Sequence, residues 1–274
     1  NDSVEITVNG VGGTTASDQL VIAIIDDVPS AVNDGPFGVT EDAAPNAVSG
    51  NVTGNDSSGA DAPLEFVSWD GATGDDLSAY GTLVQNPTTG AWSFTLNNSL
   101  AATQALTSAD VKTAVYSYTI KDADGDLDTA TLTVTVTGAN DGATVETPNA
   151  EGADSTVYEA GLPTGSDVQP SDRDIASNTF TVSATDGIAT VVIGGTSFTL
   201  AQLQALNGTQ TVNTGEGVLT LNSYSGTATG GTVNYTYTLS ATIDNDSKPG
   251  ATGTEFNDSV EITVNGVGGT TASD

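Results

Sequence analysis

The sequence predicts an all-β protein built from tandem β-sandwiches. Two observations carry this prediction: many short segments alternate apolar and polar residues, and Gly, Asn, Asp and Pro turn signals separate them. A third is a long perfect repeat. No apolar run approaches the ~20 residues needed to cross a bilayer, so the sequence predicts no membrane insertion.

Alternation is clearest in the two segments that flank an acidic loop. In residues 131–137 leucine or valine occupies every second position, and Tyr116, Tyr118 and Ile120 follow the same pattern one strand earlier. Short strands in units of ~100 residues predict Ig-like or cadherin-like sandwiches in an elongated array. The other predicted strands cover residues 4–8, 20–25, 64–69, 91–96, 180–184, 189–193, 218–221 and 233–239, with short helical turns at 99–106 and 200–206.

The repeat sets the domain organisation. Residues 1–18, NDSVEITVNGVGGTTASD, recur unchanged at 257–274, an offset of 256 residues. This predicts a tandem array with that period, of which the chain is one period plus an overlap. The junctions VNDG (32–35) and ANDG (139–142) divide the period. We expect residues 1–29 to be the final strands of a preceding domain, 30–141 a first sandwich, and 142–274 a second sandwich that lacks its last strand.

Composition restricts the chemistry of the chain. There are 35 acidic and 4 basic residues, a formal charge of -31, and no His or Cys. Nucleophile systems that need His or Cys, thiolate metal sites and ordinary zinc sites are therefore excluded. Nucleic acids and anionic membranes would be repelled. Carboxylate chemistry and hard-cation binding remain. An enzyme would be a glycosidase with paired carboxylates about 5–10 Å apart. The acidic clusters have instead the turn-like spacing of metal loops, so we expect the protein not to be an enzyme.

The loop DADGDLD at 122–128 is the sharpest candidate metal site. Asp122, Asp124, Asp126 and Asp128 alternate, and Gly125 permits a tight turn, so several carboxylates would converge on one Ca²⁺. The loop is not an EF-hand, because strands rather than helices flank it. The alternative is a solvated acidic hairpin, although carboxylates so close together repel without a cation.

Strand direction predicts a second acidic segment beside this loop. If the flanking strands are antiparallel neighbours, the loop lies at the end where the chain enters the first sandwich. The linker at that end offers further oxygen ligands, and the segment after it would contribute at the same end. These candidates are Asp26, Asp27, Asn33 and Asp34 in the linker, and Glu41 and Asp42 after it.

The same reasoning places Asp244 and Asp246 at the far end of the second sandwich, facing the next copy of the linker. The loop at its opposite end, NGVGG at 265–269, carries no carboxylate. The sequence therefore predicts more calcium after the second sandwich than at the junction around Asn140 and Asp141.

Two long stretches resemble repeats of giant RTX adhesins. VNDGPFGVTEDAAPNAVSGNVTGND, with the later DADGDLDTATLTVTVTGANDG, is similar to VCBS and cadherin-like repeats. DGIATVVIGGTSFTLAQLQAL and TASDQLVIAIIDDVPSA are similar to type I secretion target repeats. Between them the matches cover nearly the whole chain. One departure is NGVGG before TASD, where such units usually carry an acidic run.

The resemblance implies calcium-ordered extender modules of a Gram-negative surface protein, exported by type I secretion and supporting adhesion and biofilm formation. Their ligands would be, in this sequence, Asp27, Asn33, Asp34, Asp122, Asp124, Asp126 and Asp128.

Three functions follow as hypotheses. The leading one is a calcium-stiffened extracellular spacer whose partners are neighbouring repeats of the same chain. The alternative is a calcium-dependent glycan-binding module that uses the loop tyrosines Tyr80, Tyr158 and Tyr224. A further hypothesis is head-to-tail strand complementation, in which residues 19–25 of one molecule complete the C-terminal sandwich of another.

Overall fold

The structure is a computed structural model and describes residues 2–149 and 152–274. Within these residues the chain forms a separate two-stranded hairpin and four sheets that pair into two sandwiches. The prediction of an all-β protein built from β-sandwiches is confirmed. No helix of the described part is long and apolar enough to span a membrane.

The hairpin at the start of the chain stands apart from both sandwiches. It consists of β1 (Asp2–Asn9) and β2 (Thr15–Ile22), which pair antiparallel along their whole length. All residues of both strands are exposed.

Seven strands form the first sandwich. One sheet has the order β3-β9-β8-β5 and the other β4-β7-β6. The strands are β3 (Asp34–Thr40), β4 (Ala47–Asn51), β5 (Glu65–Gly74), β6 (Gly81–Gln85), β7 (Ala91–Leu96), β8 (Val111–Lys121) and β9 (Leu127–Thr137).

The core of the first sandwich follows from the alternation in its longest strands. Leu132 and Val134 of β9 are fully buried, as are Tyr118 and Ile120 of β8, because every second side chain of a strand points into the same face. Trp92 also belongs to this core and is buried, which favours a packing role for it over a sugar-binding one.

The direction of β3 decides what lies at each end of the first sandwich. β3 runs parallel to β9, with Asp34 opposite Leu132 and Thr40 opposite Thr137. β8 and β9 are antiparallel and turn at residues 122–126. The acidic loop therefore lies at the end where the chain enters, as expected, while the end of β3 lies where the chain leaves.

The second sandwich packs a five-stranded sheet, β10-β11-β16-β15-β14, on a four-stranded one, β13-β12-β17-β18. A short helix, α1, is capped by Thr199 and Gln202 in a reciprocal capping box. Residues 101–105 of the first sandwich form hydrogen-bonded turns. The elements are β10 (Ala143–Glu146), β11 (Ile175–Ala184), β12 (Ile188–Ile193), β13 (Thr196–Thr199), α1 (Leu200–Gln204), β14 (Gln210–Asn213), β15 (Gly217–Gly226), β16 (Gly230–Leu239), β17 (Ile262–Gly266) and β18 (Thr271–Ser273).

We expect Leu132→Ala to lower the free energy of unfolding of the first sandwich by about 2–5 kcal/mol, because it leaves a cavity in a closed core. Thr133→Ala, on the opposite face of β9, should change it by only about 0.5 kcal/mol. Urea unfolding followed by tryptophan fluorescence measures both, because Trp69 and Trp92, the only tryptophans, pack in this sandwich. Equal losses of unfolding free energy in the two variants would contradict the assignment of Leu132 to the core face of β9 and of Thr133 to its opposite face.

Candidate metal centre

The linker before β3 is fastened to the first sandwich by side chains that were candidate ligands. The Asn33 Oδ1 atom accepts hydrogen bonds from the Thr131 amide at 2.9 Å and from its hydroxyl at 3.0 Å. Asp128 Oδ2 accepts from the Ala31 amide at 2.8 Å. Asn33 and Asp128 therefore hold the linker against the start of β9.

Asp27 and Asp34 are also engaged within the protein. Asp27 Oδ2 accepts a hydrogen bond from the Ala60 amide at 2.8 Å. The Tyr118 hydroxyl lies 3.0 Å from Asp34 Oδ2 and 3.2 Å from Asp56 Oδ1. Burial raises the pKa of Asp34 to about 6; the Tyr118 hydrogen bond opposes this rise and the charge of Asp56 adds to it.

Five carboxylates, which we call the linker cluster, meet at the end where the chain enters. Carboxylate oxygens of Asp122, Asp124 and Asp126 lie within 4.8 Å of one another. Oxygens of Asp26, Asp61 and Asp124 meet the same limit. Asp124 thus joins the acidic loop to the linker, which is the contact that strand direction predicts.

Asp122 is the buried member of the linker cluster. Its side chain is 1 % exposed, and Oδ1 accepts hydrogen bonds from the amides of Gly125 and Asp126 at 3.0 and 2.8 Å. Gly125 adopts a φ of 110°, a conformation that other residues rarely take. Asp122 Oδ2 is buried, and no N–H or hydroxyl of a described residue donates to it. A bound cation would satisfy this oxygen.

In the linker cluster, the charge on one carboxylate disfavours the ionisation of its neighbours. A hydrogen bond shared with Asp122 raises the pKa of Asp124 to about 6, and burial and the charges of Asp122, Asp26 and Asp61 raise it further. Burial and the charge of Asp122 raise the pKa of Asp126. Burial also opposes the ionisation of Asp122, but hydrogen bonds from Asp124 and two loop amides lower its pKa.

A second group, the junction cluster, lies where the chain passes between the sandwiches. It consists of Glu41, Asp42, Asp141 and Asp186. The Asp141 amide donates to both carboxylate oxygens of Asp186, at 3.1 and 3.0 Å. Burial, the Asp186 charge and contact with Asp42 raise the pKa of Asp141 to about 6. Asp141 Oδ2 is buried and has no hydrogen-bond partner among the described residues.

Glu41 is the most buried member of the junction cluster, with 1 % of its surface exposed. Its Oε2 atom accepts a hydrogen bond from the Ala139 amide at 3.1 Å, and Oε1 accepts one from Gln104 at 3.2 Å. Burial raises the pKa of Glu41, and the charges of Asp141, Asp42 and Asp186 contribute. Three neighbouring carboxylates therefore surround a buried fourth.

The expected position of Glu41 and Asp42 was wrong. The sequence predicts both beside the linker, but β3 runs parallel to β9 and carries them to the opposite end. There they lie with Asp141 in the junction cluster.

Sequence reasoning also missed Asp61 and Asp186. Asp186 follows β11 in a Thr-Asp-Gly turn between two apolar segments, a pattern that indicates a turn and not a metal ligand. It lies beside the NGVGG loop, where a Cβ atom on Gly268 would be 2.1 Å from Asp186 Oδ2 and 3.1 Å from Asn140 Oδ1. The NGVGG loop carries no carboxylate of its own. Its Gly268, which lacks a side chain, thus leaves space for the carboxylate of Asp186 from another turn.

Asn140, Asp244 and Asp246 remain outside the two clusters. Asn140 Oδ1 accepts a hydrogen bond from the Ser108 amide at 2.8 Å. Asp244 and Asp246 are exposed, and hydrogen bonds from Ser247 and the Asp246 amide lower the pKa of Asp244. In the described ranges, no group of three carboxylates with oxygens within 4.8 Å of one another includes either aspartate, and none includes a member of the junction cluster.

Basic side chains do not neutralise either cluster. All four bases of the chain form ion pairs with other carboxylates. The pairs are Lys112 with Asp110, Lys121 with Glu65, Arg173 with Asp167, and Lys248 with Glu216. A counter-charge for the clusters would have to come from solution.

Without divalent cations, we expect the first sandwich to lose stability as the pH rises from about 4 to about 6. Asp34 and Asp124 have pKa values of about 6 in the folded chain, above the value of about 3.9 for an unfolded aspartate. The folded state therefore binds more protons in this window, so the free energy of unfolding falls as these protons leave. Thermal unfolding in chelator, followed by tryptophan fluorescence, measures the slope.

Asp34→Asn should make this slope shallower, because one raised carboxyl no longer titrates while an oxygen still faces Tyr118. A melting temperature that rises with pH across the window would contradict both expectations.

Comparisons with known proteins concern the fold. Residues 26–137, which contain the linker and all seven strands of the first sandwich, match the family model described as Bacterial Ig domain. No curated protein matches the chain. Similar solved structures include protocadherin gamma B2 extracellular cadherin domains 1-5, with 15% identity over 99% of this chain and 43% of that one, at a TM-score of 0.38. The human desmocollin-1 ectodomain matches with 15% identity over 95% of this chain and 38% of that one, at a TM-score of 0.29.

The chain thus spans less than half the length of these two structures. The family match and the strand topology together make the first sandwich an Ig-like repeat.

Proposed function

We propose that the chain is a calcium-stiffened spacer in the extracellular part of a repetitive bacterial surface adhesin, exported by type I secretion and supporting adhesion and biofilm formation. Its partners are neighbouring repeats of the same chain. Residues 30–141 and 142–274 act as its two domains, and it performs no catalysis.

The observation that carries this proposal is the unsatisfied, buried Oδ2 atom of Asp122 within the linker cluster. Calcium prefers six to eight oxygen ligands, with carboxylates prominent among them. The linker cluster supplies that chemistry from Asp26 in the linker, Asp61 in one loop and the three aspartates of another. These residues fit a hard cation, and their donor set suits calcium.

Calcium would act on rigidity because the cluster joins two parts of the chain. Asp26 belongs to the linker, whereas Asp122, Asp124 and Asp126 belong to the β8–β9 loop. With no cation these groups repel, which opposes the hydrogen bonds that fasten the linker to the sandwich. A cation that contacts both would hold the linker at a fixed angle.

The junction cluster supports the same role at the other end of the first sandwich. Glu41 and Asp42 belong to the first sandwich, Asp141 to the connection and Asp186 to the second sandwich. A cation here would tie the two sandwiches together. We therefore propose calcium at this junction too, and the expectation that the junction after the second sandwich holds more calcium stays a prediction.

The glycan-binding alternative finds less support. Tyr80 packs against the core of the first sandwich and Tyr224 against that of the second. Tyr158 is 48 % exposed, but the Arg173 guanidinium covers its ring at 4.2 Å. These three residues therefore do not form a row of exposed aromatic faces beside a carboxylate cluster.

Calcium should raise the melting temperature of the first sandwich, and Asp122→Asn should abolish much of the gain. At a calcium concentration 100 times the dissociation constant, binding adds about 2.7 kcal/mol to the free energy of unfolding. In chelator the same variant should be somewhat less stable than the parent, because the folded chain favours the charged form of Asp122, whose pKa is lowered. Tryptophan fluorescence during thermal unfolding, recorded once in calcium and once in chelator, measures both effects.

The control for that experiment is Asp172→Asn, which removes one exposed charge far from the linker cluster in the sequence and should keep the full calcium response of the first sandwich. Small-angle scattering on the same samples should change from a flexible to an extended chain on adding calcium. Indifference of both stability and shape to calcium would refute the spacer role.

Asp186→Asn should distinguish the effect of calcium at the junction cluster from its effect at the linker cluster. We expect it to leave the calcium response of the tryptophans intact, because these lie in the first sandwich, but to lose the calcium-dependent stiffening between sandwiches. Calorimetry, which detects unfolding of both sandwiches, and scattering provide the readouts. A variant that scatters like the parent in calcium would exclude a cation bridge through Asp186.

A further inference from the structure

The connection between β4 and β5 touches both the acidic β8–β9 loop and the linker. We call its residues 55–61 the strap. The Asp61 carbonyl accepts a hydrogen bond from the Ala123 amide at 2.9 Å. Carboxylate oxygens of Asp61, Asp26 and Asp124 lie within 4.8 Å of one another. The end of the strap therefore belongs to the linker cluster, whereas its other residues lie along the linker.

Backbone pairing joins the strap to the linker. Ser30 and Ser57 form an isolated antiparallel bridge. The Ser30 amide donates to the Ser57 carbonyl at 2.8 Å, and the Ser57 amide donates to the Ser30 carbonyl at 3.0 Å. All four groups are uncharged, so this pairing does not need a cation.

Side chains extend the contact along the linker in both directions. Asp27 Oδ2 accepts a hydrogen bond from the Ala60 amide at 2.8 Å. Asp56 Oδ1 accepts one from the Val32 amide, also at 2.8 Å, and the Asn55 side chain donates to the Val32 carbonyl at 3.1 Å. The strap thus holds the linker from Asp27 to Val32.

Tyr118 connects this contact to the core of the first sandwich. Its side chain is fully buried, and its hydroxyl oxygen lies 3.0 Å from the Val32 carbonyl and 3.2 Å from Asp56 Oδ1. The hydroxyl has one hydrogen to donate. Whichever oxygen accepts it, the bond ties the linker or the strap to β8.

Apolar burial fixes the middle of the linker. Pro29 is buried, and Ala31 packs against the core of the first sandwich. The Ala31 amide also donates to Asp128, as described above. Burial of apolar surface is favourable whether or not calcium is bound. The linker therefore has attachments to the sandwich that are independent of metal.

Asp26 lies one residue before these attachments and is held differently. Its carboxylate meets those of Asp61 and Asp124, which repel it when no cation is present. A bound cation would turn this repulsion into attraction. Calcium therefore affects the position of Asp26 far more than that of residues 27–33.

Gly59 permits the close approach of the strap and the linker. It adopts a φ of 67°, and a Cβ atom on it would be 2.7 Å from Asp27 Oδ2 and 3.1 Å from the Val28 carbonyl oxygen. A side chain at this position would meet linker atoms and strain the backbone. Gly54, just before the strap, has no atom within 4 Å of the position of a Cβ atom, and its φ is not in the left-handed region.

We propose that the strap holds residues 27–33 on the first sandwich before calcium binds, and that Gly59 is the positioning residue of this contact. The linker cluster is then assembled without metal except for Asp26, so calcium binding requires little ordering of the linker. The role of calcium at Asp26 rests on the proposed function, whereas the docking of residues 27–33 does not.

Amide hydrogen exchange of the 274-residue chain in chelator, followed by NMR, tests the docking. We expect the Ser30, Ala31 and Val32 amides to exchange at least about thirtyfold more slowly than in an unstructured peptide, because each donates to the strap or to Asp128. Exchange in chelator as fast as in an unstructured peptide, with protection only after calcium is added, would overturn the proposal and leave the calcium site standing.

Gly59→Ala should lower the protection of these amides by about five- to thirtyfold, because alanine disfavours the left-handed conformation. Gly54→Ala is the matched control and should keep the protection of the parent. Thermal unfolding followed by tryptophan fluorescence checks that the first sandwich stays folded in both variants. Equal protection in Gly59→Ala and the parent would refute the positioning role of Gly59.

Calorimetric titration with calcium links the strap to the linker cluster. Gly59→Ala should weaken calcium binding, by no more than the factor seen in hydrogen exchange, because the apparent dissociation constant rises as the docked fraction falls. Gly54→Ala should bind calcium like the parent. Protected linker amides in a chain that binds no calcium would support the strap and refute only the proposed function.

Discussion

Repulsion among carboxylates where the chain enters and leaves the first sandwich is the constraint on which the proposed behaviour of the protein depends. At a formal charge of -31, with its four bases paired elsewhere, the chain has no internal counter-charge for the linker and junction clusters. Burial of Asp122 and Glu41 increases the electrostatic cost, because desolvation disfavours the charged form. The β-sandwich tolerates this because its core lies between the sheets, away from both ends.

Strand pairing, more than local sequence, decides which carboxylates meet. The sequence predicts correctly that the DADGD loop faces the linker, since the two strands beside it alternate clearly and are close in the chain. It misplaces Glu41 and Asp42, because nothing in the composition of β3 distinguishes parallel from antiparallel pairing with β9, which is about a hundred residues away. Asp61 and Asp186 escape prediction for a related reason: each is one aspartate in an ordinary turn, and only the fold brings it to a cluster.

Identical sequences in the two hairpins show how far burial depends on the surroundings. Residues 1–18 and 257–274 share the local propensities that form two strands and a turn, and both copies form that hairpin in one register. Only the second copy has β12 beside it, so only there do Ile262 and Val264 become core residues. Sequence alone predicts the hairpin in both places, but the exposure of each residue follows from its partners in the sheet.

The parallel pairing of β3 with β9 also determines how the first sandwich carries a mechanical load. The chain enters at the start of β3 and leaves at the end of β9, so tension along the chain pulls these neighbouring strands in opposite directions along their length. Force in that geometry shears the hydrogen bonds between the strands, and they bear it together. A hairpin pulled open from one end would instead break them one after another. In the proposed spacer role, the first sandwich would resist extension through the same strand pair that brings Glu41 to the junction.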